Sequence, residues 1–259
     1  MAGKLIQSAS LDTTDSTVQS PRNSIKRRPS GPLTPPISPE DAESAQILDR
    51  AVHILATEAS ALSFVTRLYQ TNPVAKTGLL RAVECILKAH DAGGKLIICG
   101  VGKSGIVGMK IVATMKSLGV ATSFMHAAEA VHGDLGDIKK NDVVLFITYS
   151  GRTQELMTVS SHINESIATV VMTSHMDSSS FPLCRDRPDT IVLPAPIHEP
   201  EEKSFGVCAP TTSTTVAMAV GDMLSLTVAE RLHLEDVGAE FQKNHPGGTI
   251  GAVKKRRLS

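Results

Sequence analysis

The sequence predicts an α/β protein whose parallel β-sheet is covered by helices on both faces. Five short β-rich runs lie at residues 95–99, 122–125, 142–148, 168–173 and 190–193, and most of them are rich in Val, Ile and Leu. Helical periods alternate with them, at residues 106–118, 127–131, 153–165 and 213–232. Strands that are apolar along their whole length and alternate with helices are typical of such a sheet. Ligands bind there at the carboxyl ends of the strands.

Two helices are expected before the first strand. The segment Ser38-Pro39-Glu40-Asp41 predicts a helix start. It leads into a periodic set of apolar residues that predicts one long amphipathic helix. The set consists of Ile47, Leu48, Val52, Leu55, Ala56, Ala59, Leu62, Val65 and Leu68. A second helix fits residues 77–90, where Leu80, Val83, Ile86 and Leu87 share one face.

The N-terminal segment differs from the rest of the chain. Ser, Thr and Pro occupy 17 of residues 1–39. Such a segment buries too little apolar surface to offset the entropy of ordering it, which predicts a disordered tail. Ser30, Thr34 and Ser38 resemble kinase-acceptor sites, although a plain polar tail explains them equally well. We therefore predict a tail over residues 1–39, a folded domain over 40–252 and a basic tail over 253–259.

Composition argues against several classes of protein. Lys and Arg total 26, as do Asp and Glu, so the net charge is zero and nucleic-acid binding driven by charge is not expected. No apolar run reaches the roughly 18 residues of a membrane-spanning helix, so we expect no membrane partner. The four cysteines form no CxxC pair, which argues against zinc and disulfides and fits reduced thiols in the cytoplasm.

A glycine-rich loop follows the first predicted strand and reads Cys99-Gly-Val-Gly-Lys-Ser-Gly105. It does not fit a P-loop, because position 97 is Ile, and no acidic ribose partner supports a dinucleotide site. Backbone N–H groups around Gly102, with Lys103 and Ser104 beside them, suit an anion or a sugar hydroxyl. A tight turn would explain the glycines but not Lys103.

Two further loops are rich in hydroxyl groups. Three hydroxyl residues lie within six positions after the third predicted strand, more than a helix cap needs, and they favour a phosphate cradle. Five consecutive hydroxyl residues open the long last helix, so some of them are expected to face the ligand. The candidates in the two loops are Thr148, Ser150, Thr153, Thr211, Thr212 and Ser213.

Histidines are weaker candidates when taken one at a time. His132 lies in H-G-D-L-G and His245 in N-H-P-G-G, each among glycines, whereas a solitary His is more often a surface or core residue. Metal ligation by His126, His132, His198 and His245 lacks any helical H-x-x-x-H spacing. We therefore expect neither a metal nor another cofactor.

In chain order, the motifs resemble the sugar isomerase (SIS) domain, and within it the arabinose 5-phosphate isomerases. These motifs are G-V-G-K-S-G, H-A-A-E-A-V-H-G-D-L-G, S-G-R-T-Q-E, A-P-T-T-S-T-T and N-H-P-G-G, and the resemblance covers roughly residues 48–251. It implies a three-layer α/β/α sandwich with a five-stranded parallel sheet. It also implies a homo-oligomer with sites shared between subunits, and interconversion of D-arabinose 5-phosphate and D-ribulose 5-phosphate.

The resemblance assigns catalytic roles to five positions, Lys103, His132, Glu155, Glu202 and His245. Glu202 is the preferred base for proton transfer through a cis-enediol and Glu155 the second choice, because a partly buried carboxylate can have a raised pKa. The adjacent Glu201 lies in the same acidic loop, residues 199–202, so the role of the base could belong to Glu201 and not to Glu202. Lys103 would stabilise the enediolate oxygen, and the two histidines would assist ring opening. Ser104, Ser150 and Thr153 would anchor phosphate.

Three features depart from the family pattern. Tyr149 replaces a small polar residue, and Arg152 replaces an acidic or small one. Bacterial members often carry a pair of CBS modules, which we do not expect here because the chain stops at Ser259.

Two other functions remain open. One is a non-catalytic sugar-phosphate-binding regulatory module, which predicts loss of the carboxylates or histidines; here all are present. The other is an etherase-like lyase, because S-G-R-T also occurs in the related muramic-acid phosphate etherases. H-G-D-L-G and H-P-G-G argue against it.

Overall fold

A computed structural model describes residues 39–185, 187–234 and 236–247. The predicted N-terminal tail up to residue 38, with Ser30, Thr34 and Ser38, lies outside the described residues, and so does the predicted basic tail. The chain divides into two compact units, residues 1–45 and 46–259. The described part of the first unit, residues 39–45, is helical.

The predicted five-stranded parallel sheet is confirmed. Its strands run in the order β2-β1-β3-β4-β5, and every neighbouring pair is parallel. The strands are β1 (Leu96–Gly100), β2 (Thr122–His126), β3 (Val143–Ile147), β4 (Ala168–Thr173) and β5 (Ile191–Pro194). Because all five run the same way, their carboxyl ends meet at one edge.

Helices connect the strands and cover the sheet. The α-helices are α1 (Pro39–Thr71), α2 (Pro73–Asp91), α3 (Gly102–Ser117), α4 (Ala127–Ala130), α5 (Gln154–His162), α6 (Glu201–Phe205), α7 (Thr212–Leu232) and α8 (Val237–Lys243). Short 3-10 helices span Asp134–Asp137, Ser178–Ser180 and Pro182–Cys184. Helix α3 begins four residues earlier than its apolar period predicts, directly after the glycine-rich turn. The short helices α6 and α8 were not predicted.

The sheet is buried on both faces, as the apolar strands predict. In β1, Leu96 and Ile98 join a core cluster with α2, α3 and α7, whereas Ile97 and Cys99 join a second cluster with α4 and α5. Successive side chains of β1 point to opposite faces of the sheet, so the sheet forms the middle of three layers, with helices packed on each face. Burial raises the pKa of the Cys99 thiol to about 12, so this cysteine behaves as an apolar core residue.

Helix α1 is more exposed than its periodic pattern suggests. Its second half contributes Ala61 and Val65 to the core. In its first half, Ile47, Leu48, Val52 and Leu55 remain between 62% and 67% exposed. We call these four side chains the α1 apolar row. No helix in the described ranges is long and apolar enough to span a membrane.

Helix α2 lies directly against the edge strand β5. A Cβ atom added at Gly78 would collide with the carbonyl oxygen of Val192, so glycine is what permits this close approach. Tyr69, near the end of α1, donates a hydrogen bond of 2.8 Å to the carbonyl oxygen of Pro194. Both contacts fix the N-terminal helices to the end of the sheet.

We predict that Gly78→Ala destabilises the protein, although alanine normally favours a helix over glycine. Helix and strand must separate to admit the methyl group, at a cost of about 1–3 kcal/mol in the free energy of unfolding. Denaturant titration measures this cost. Gly136→Ala is the control, because a Cβ there meets nothing within 4 Å; equal effects of the two substitutions would contradict the prediction.

Candidate functional site

A cavity of about 480 Å³ opens at the carboxyl edge of the sheet. It lies beyond β1, β3, β4 and β5 and is bordered by α3, α6 and α7. The strand order changes direction between β1 and β3, and such a switch point is where open parallel sheets bind ligands. The position of the cavity therefore agrees with the site expected from the sequence.

The cavity combines an apolar wall with a small set of polar groups. The polar and acidic lining residues are Lys103, Ser104, Tyr149, Thr173, Glu201, Glu202, Ser213 and Thr214, joined by Cys208. The apolar lining residues include Val101, Val107, Ile147, Met172, Ile197 and Ala217. A mostly apolar cavity with a few converging polar groups is typical of a small-molecule site.

Lys103 and Ser104 lie in the first turn of α3. Gly102 begins this helix at φ +58°, and no side chain caps the helix at Val101. A Cβ at Gly100 would lie 3.0 Å from the backbone of Ser104, so glycine lets the strand end approach the helix. The uncapped N–H groups can interact with an anion, and Lys103 adds a positive charge beside them.

The loop over residues 148–153 forms a compact turn at the end of β3. The hydroxyl groups of Thr148 and Thr153 lie 2.8 Å apart, and the Gly151 N–H donates to Thr148 Oγ1. Thr153 therefore bonds to Thr148 and does not cap α5, whose N-terminus has no side-chain cap. The Arg152 N–H donates to Ser150 Oγ, which is exposed. The free N-terminus of α5 remains available to an anion.

The N-terminus of α7 differs, because a carboxylate of the chain already occupies it. Glu201 Oε1 accepts hydrogen bonds from Thr211 N at 2.7 Å, Ser213 N at 2.9 Å and Ser213 Oγ at 2.8 Å. Thr212 is 1% exposed, and its hydroxyl has no partner among the described residues. Of the three predicted ligand contacts at this helix, only Ser213 lines the cavity.

Glu202 lines the cavity and is exposed. The Cys208 thiol donates a hydrogen bond to Glu202, and this bond, with the carboxylate charge, raises the thiol pKa. Burial and the charge of Glu201 raise the pKa of Tyr149. Glu202 and Glu155 were expected to be partly buried, and in this structure both side chains are exposed.

Three of the five predicted catalytic residues do not line the cavity of their own chain. His132 follows α4 beyond β2, and Glu155 lies in the first turn of α5; neither lines the cavity. His245 stacks on Phe241 with ring centroids 4.0 Å apart, and its Nε2 lies 3.3 Å from Ser117 Oγ. Ser117 ends α3 at the opposite edge of the sheet. At 1.5 Å per residue, His245 is roughly 20 Å from Lys103.

Several residues of the site were not predicted from the sequence. Thr173 and Ala195 line the cavity at the ends of β4 and β5, and their position after apolar strands could have indicated them. Tyr149 was noted only as a departure from the family, yet its side chain lines the cavity. Arg152 lies outside this cavity and borders another, with Arg185. Within the described residues, no group of three or more His, Cys, Asp or Glu side chains could hold a metal ion.

These features define the class of protein: a parallel α/β domain with open helix N-termini beside a cavity at the switch point of the sheet. Residues 90–227 match the SIS domain, which is just over half of the chain, so the chain belongs to the SIS domain family. The resemblance read from the motifs is confirmed at the level of the family.

Individual relatives point in the same direction. An uncharacterized protein of Helicobacter pylori strain J99 is 38% identical over 206 residues, 78% of this chain and 57% of that protein. The arabinose 5-phosphate isomerase GutQ of Salmonella typhimurium is 37% identical over 179 residues, 67% of this chain and 50% of the enzyme. The chain therefore spans between half and three-fifths of the length of these curated relatives.

A solved structure shows the same fold. An Escherichia coli CFT073 protein in complex with a sugar phosphate matches with a TM-score of 0.65 and 28% sequence identity. The match covers 78% of this chain and 98% of that one. The predicted α/β/α fold is thus found in a relative that binds a sugar phosphate.

We predict that Glu202→Gln makes the Cys208 thiol more reactive. The amide carries no negative charge, so the thiol pKa falls and the thiolate forms at lower pH. The rate of iodoacetamide labelling at Cys208, measured against pH by peptide mass spectrometry, should shift to lower pH. Cys85, which is half-buried elsewhere, serves as the internal control. An unchanged curve at Cys208 would contradict the contact.

Proposed function

We propose that this protein is an aldose–ketose isomerase acting on a sugar phosphate, with D-arabinose 5-phosphate and D-ribulose 5-phosphate as the preferred pair. The observation that carries the proposal is the meeting of Lys103, Ser104 and Glu202 in one cavity. Sequence identity of 37% to an arabinose 5-phosphate isomerase supports the choice of substrate. All four cysteines are free thiols, in keeping with a cytoplasmic location.

The phosphate group is proposed to bind between the starts of α3 and α5. Both N-termini lack side-chain caps, and hydroxyl groups of Ser104 and Ser150 are close in sequence to them. Neutral hydroxyl and N–H donors can bind the phosphate dianion and still allow the product to be released. The start of α7 is a poorer place, because the Glu201 carboxylate there would repel phosphate.

Glu202 is proposed to move the proton in the chemical step. It removes the C2 proton of the open-chain aldose while the carbonyl oxygen at C1 gains a proton, which gives the cis-enediol. The proton is then delivered to C1 as the hydroxyl at C2 loses its own, and the ketose forms. Lys103 stabilises the negative charge that develops on the oxygen. No redox cofactor takes part in this sequence.

The remaining family positions are proposed to act across subunits. His245 lies too far from the cavity of its own chain to contact a small sugar. A homo-oligomer in which a second copy supplies His245 would bring an imidazole to the site for ring opening. His132, proposed to assist ring opening, and Glu155, the second candidate base, lie at the carboxyl edge of the same sheet.

The alternative is a regulatory module that binds a sugar phosphate without turnover. The cavity and the open helix N-termini serve either function, but a binding module has no need for a carboxylate in the cavity that Lys103 lines. An etherase-like lyase was suggested by Arg152, and this residue lies outside the cavity. Turnover against a panel of five- and six-carbon sugar phosphates separates these functions.

We predict that Glu202→Gln lowers kcat by about 10²–10⁴ with little change in KM, because the amide keeps the size but cannot accept the proton. Exchange of the C2 proton with solvent should be lost as well. Ser150→Ala is the contrasting variant: it removes one neutral donor to phosphate and should mainly raise KM. If Glu155→Gln abolishes turnover while Glu202→Gln does not, Glu155 is the base. Tight binding by the native protein without any exchange would favour the regulatory module.

We also predict that turnover survives treatment with a chelator and needs no added divalent ion. The proposed proton transfer uses only side chains and backbone donors. Activity assayed before and after exhaustive dialysis against EDTA tests this. Complete loss of activity, restored by one stoichiometric divalent ion, would show that a metal takes part.

A further inference from the structure

Helix α6 carries Glu202, and it is too short to hold its own position. It consists of five residues, Glu201–Phe205, and isolated helices of this length are unstable in water. The direction of the Glu202 side chain therefore depends on contacts that α6 makes with other elements. Two such contacts lie at opposite ends of the helix.

The first contact joins the start of α6 to the start of α7. One oxygen of Glu201 accepts three hydrogen bonds, two from backbone N–H groups and one from the Ser213 hydroxyl. A carboxylate at a helix N-terminus also interacts favourably with the helix dipole. These three hydrogen bonds fix the orientation of the Glu201 carboxylate and join α6 to α7.

The second contact joins the end of α6 to α1. Arg50 donates from Nη1 to the carbonyl oxygen of Ser204 at 3.3 Å and from Nη2 to that of Phe205 at 3.0 Å. Its guanidinium carbon lies 5.6 Å from the centre of the Phe205 ring. His53 Nε2 lies 3.2 Å from the same Ser204 oxygen. The last carbonyl groups of a helix lack partners within it, and a cation there is favourable.

We propose that Glu201 and Arg50 are positioning residues, which together hold α6 at both ends and so direct Glu202 into the cavity beside Lys103. The functional part of this inference rests on the proposed isomerase reaction. Arg50 does not line the cavity, so its effect on turnover passes through α6. This arrangement also separates the two adjacent glutamates: Glu201 holds the helix and Glu202 acts on the substrate.

The first readout is independent of activity. In Arg50→Met, α6 shifts and Glu202 leaves Cys208, so labelling at Cys208 by iodoacetamide moves to lower pH, as in Glu202→Gln. The charge of Glu201 itself raises the pKa of Cys208, so Glu201→Ala is compared with Glu201→Gln, which removes the same charge but keeps an acceptor oxygen. A larger move to lower pH in Glu201→Ala than in Glu201→Gln reports the shift of α6. We expect a rise of about threefold to tenfold in the labelling rate at a fixed pH below the thiol pKa. Arg67→Met is the matched control, since this exposed arginine of α1 has no side-chain partner among the described residues.

The second readout is a double-mutant cycle in the isomerase assay. We expect Arg50→Met and Glu201→Ala each to lower kcat by about 10–100-fold with a smaller change in KM. In a Glu202→Gln background the same changes should lower kcat by less than about twofold, because the group they position is already gone. Arg50→Lys and Glu201→Gln keep the charge or the acceptor and should recover part of the loss.

Several results would overturn the inference. Labelling at Cys208 that stays unchanged in Arg50→Met, and that is equal in Glu201→Ala and Glu201→Gln, shows that α6 does not need these contacts. If Arg50→Met or Glu201→Ala lowers kcat by the same factor in the Glu202→Gln background as in the native protein, the effect is a general structural one. If Arg50→Met does not fold, Glu201→Ala and the two conservative variants decide the question. If the native protein turns over no sugar phosphate, the proposed function fails, while the labelling curves still decide whether α6 is held in this way.

Discussion

The all-parallel sheet is the constraint on which the other features depend. Since every strand runs in the same direction, each following helix starts at the carboxyl edge and points its N-terminus there. Three helices of nine or more residues, α3, α5 and α7, therefore direct unsatisfied N–H groups toward a small region. The chain neutralises one of them internally with Glu201 and leaves the other two uncapped. The fold and a single side chain together determine where an anion can bind.

Much of the fold was predictable because strong local patterns encode it. The five apolar runs become five strands, and the long helices follow their apolar periods to within a few residues. Helices α6 and α8 were missed because five to seven residues contain too little periodicity to distinguish them from loops. The pattern of α1 predicted a helix but could not show which of its apolar residues a neighbouring element covers.

The candidate site was predictable in its residues but not in its contacts. Lys103, Ser104 and Glu202 were identified from motifs, and all three line one cavity. The capping role of Glu201 depends on donors ten and twelve positions later in the chain, a separation that no local rule captures. The length of α3 separates His245 from Lys103, a distance that the motif order does not reveal. Such features emerge only after the elements pack together.

The α1 apolar row has a thermodynamic meaning of its own. Ile47, Leu48, Val52 and Leu55 remain more than three-fifths exposed, although full burial of one such side chain releases about 1.5–3 kcal/mol. That free energy is not released within the described chain. It remains available to any apolar surface that covers the row, whereas the same surface in water favours self-association and lowers solubility. Helix α1 therefore combines a packed half, which contributes to the stability of the domain, with a half whose contribution depends on its surroundings.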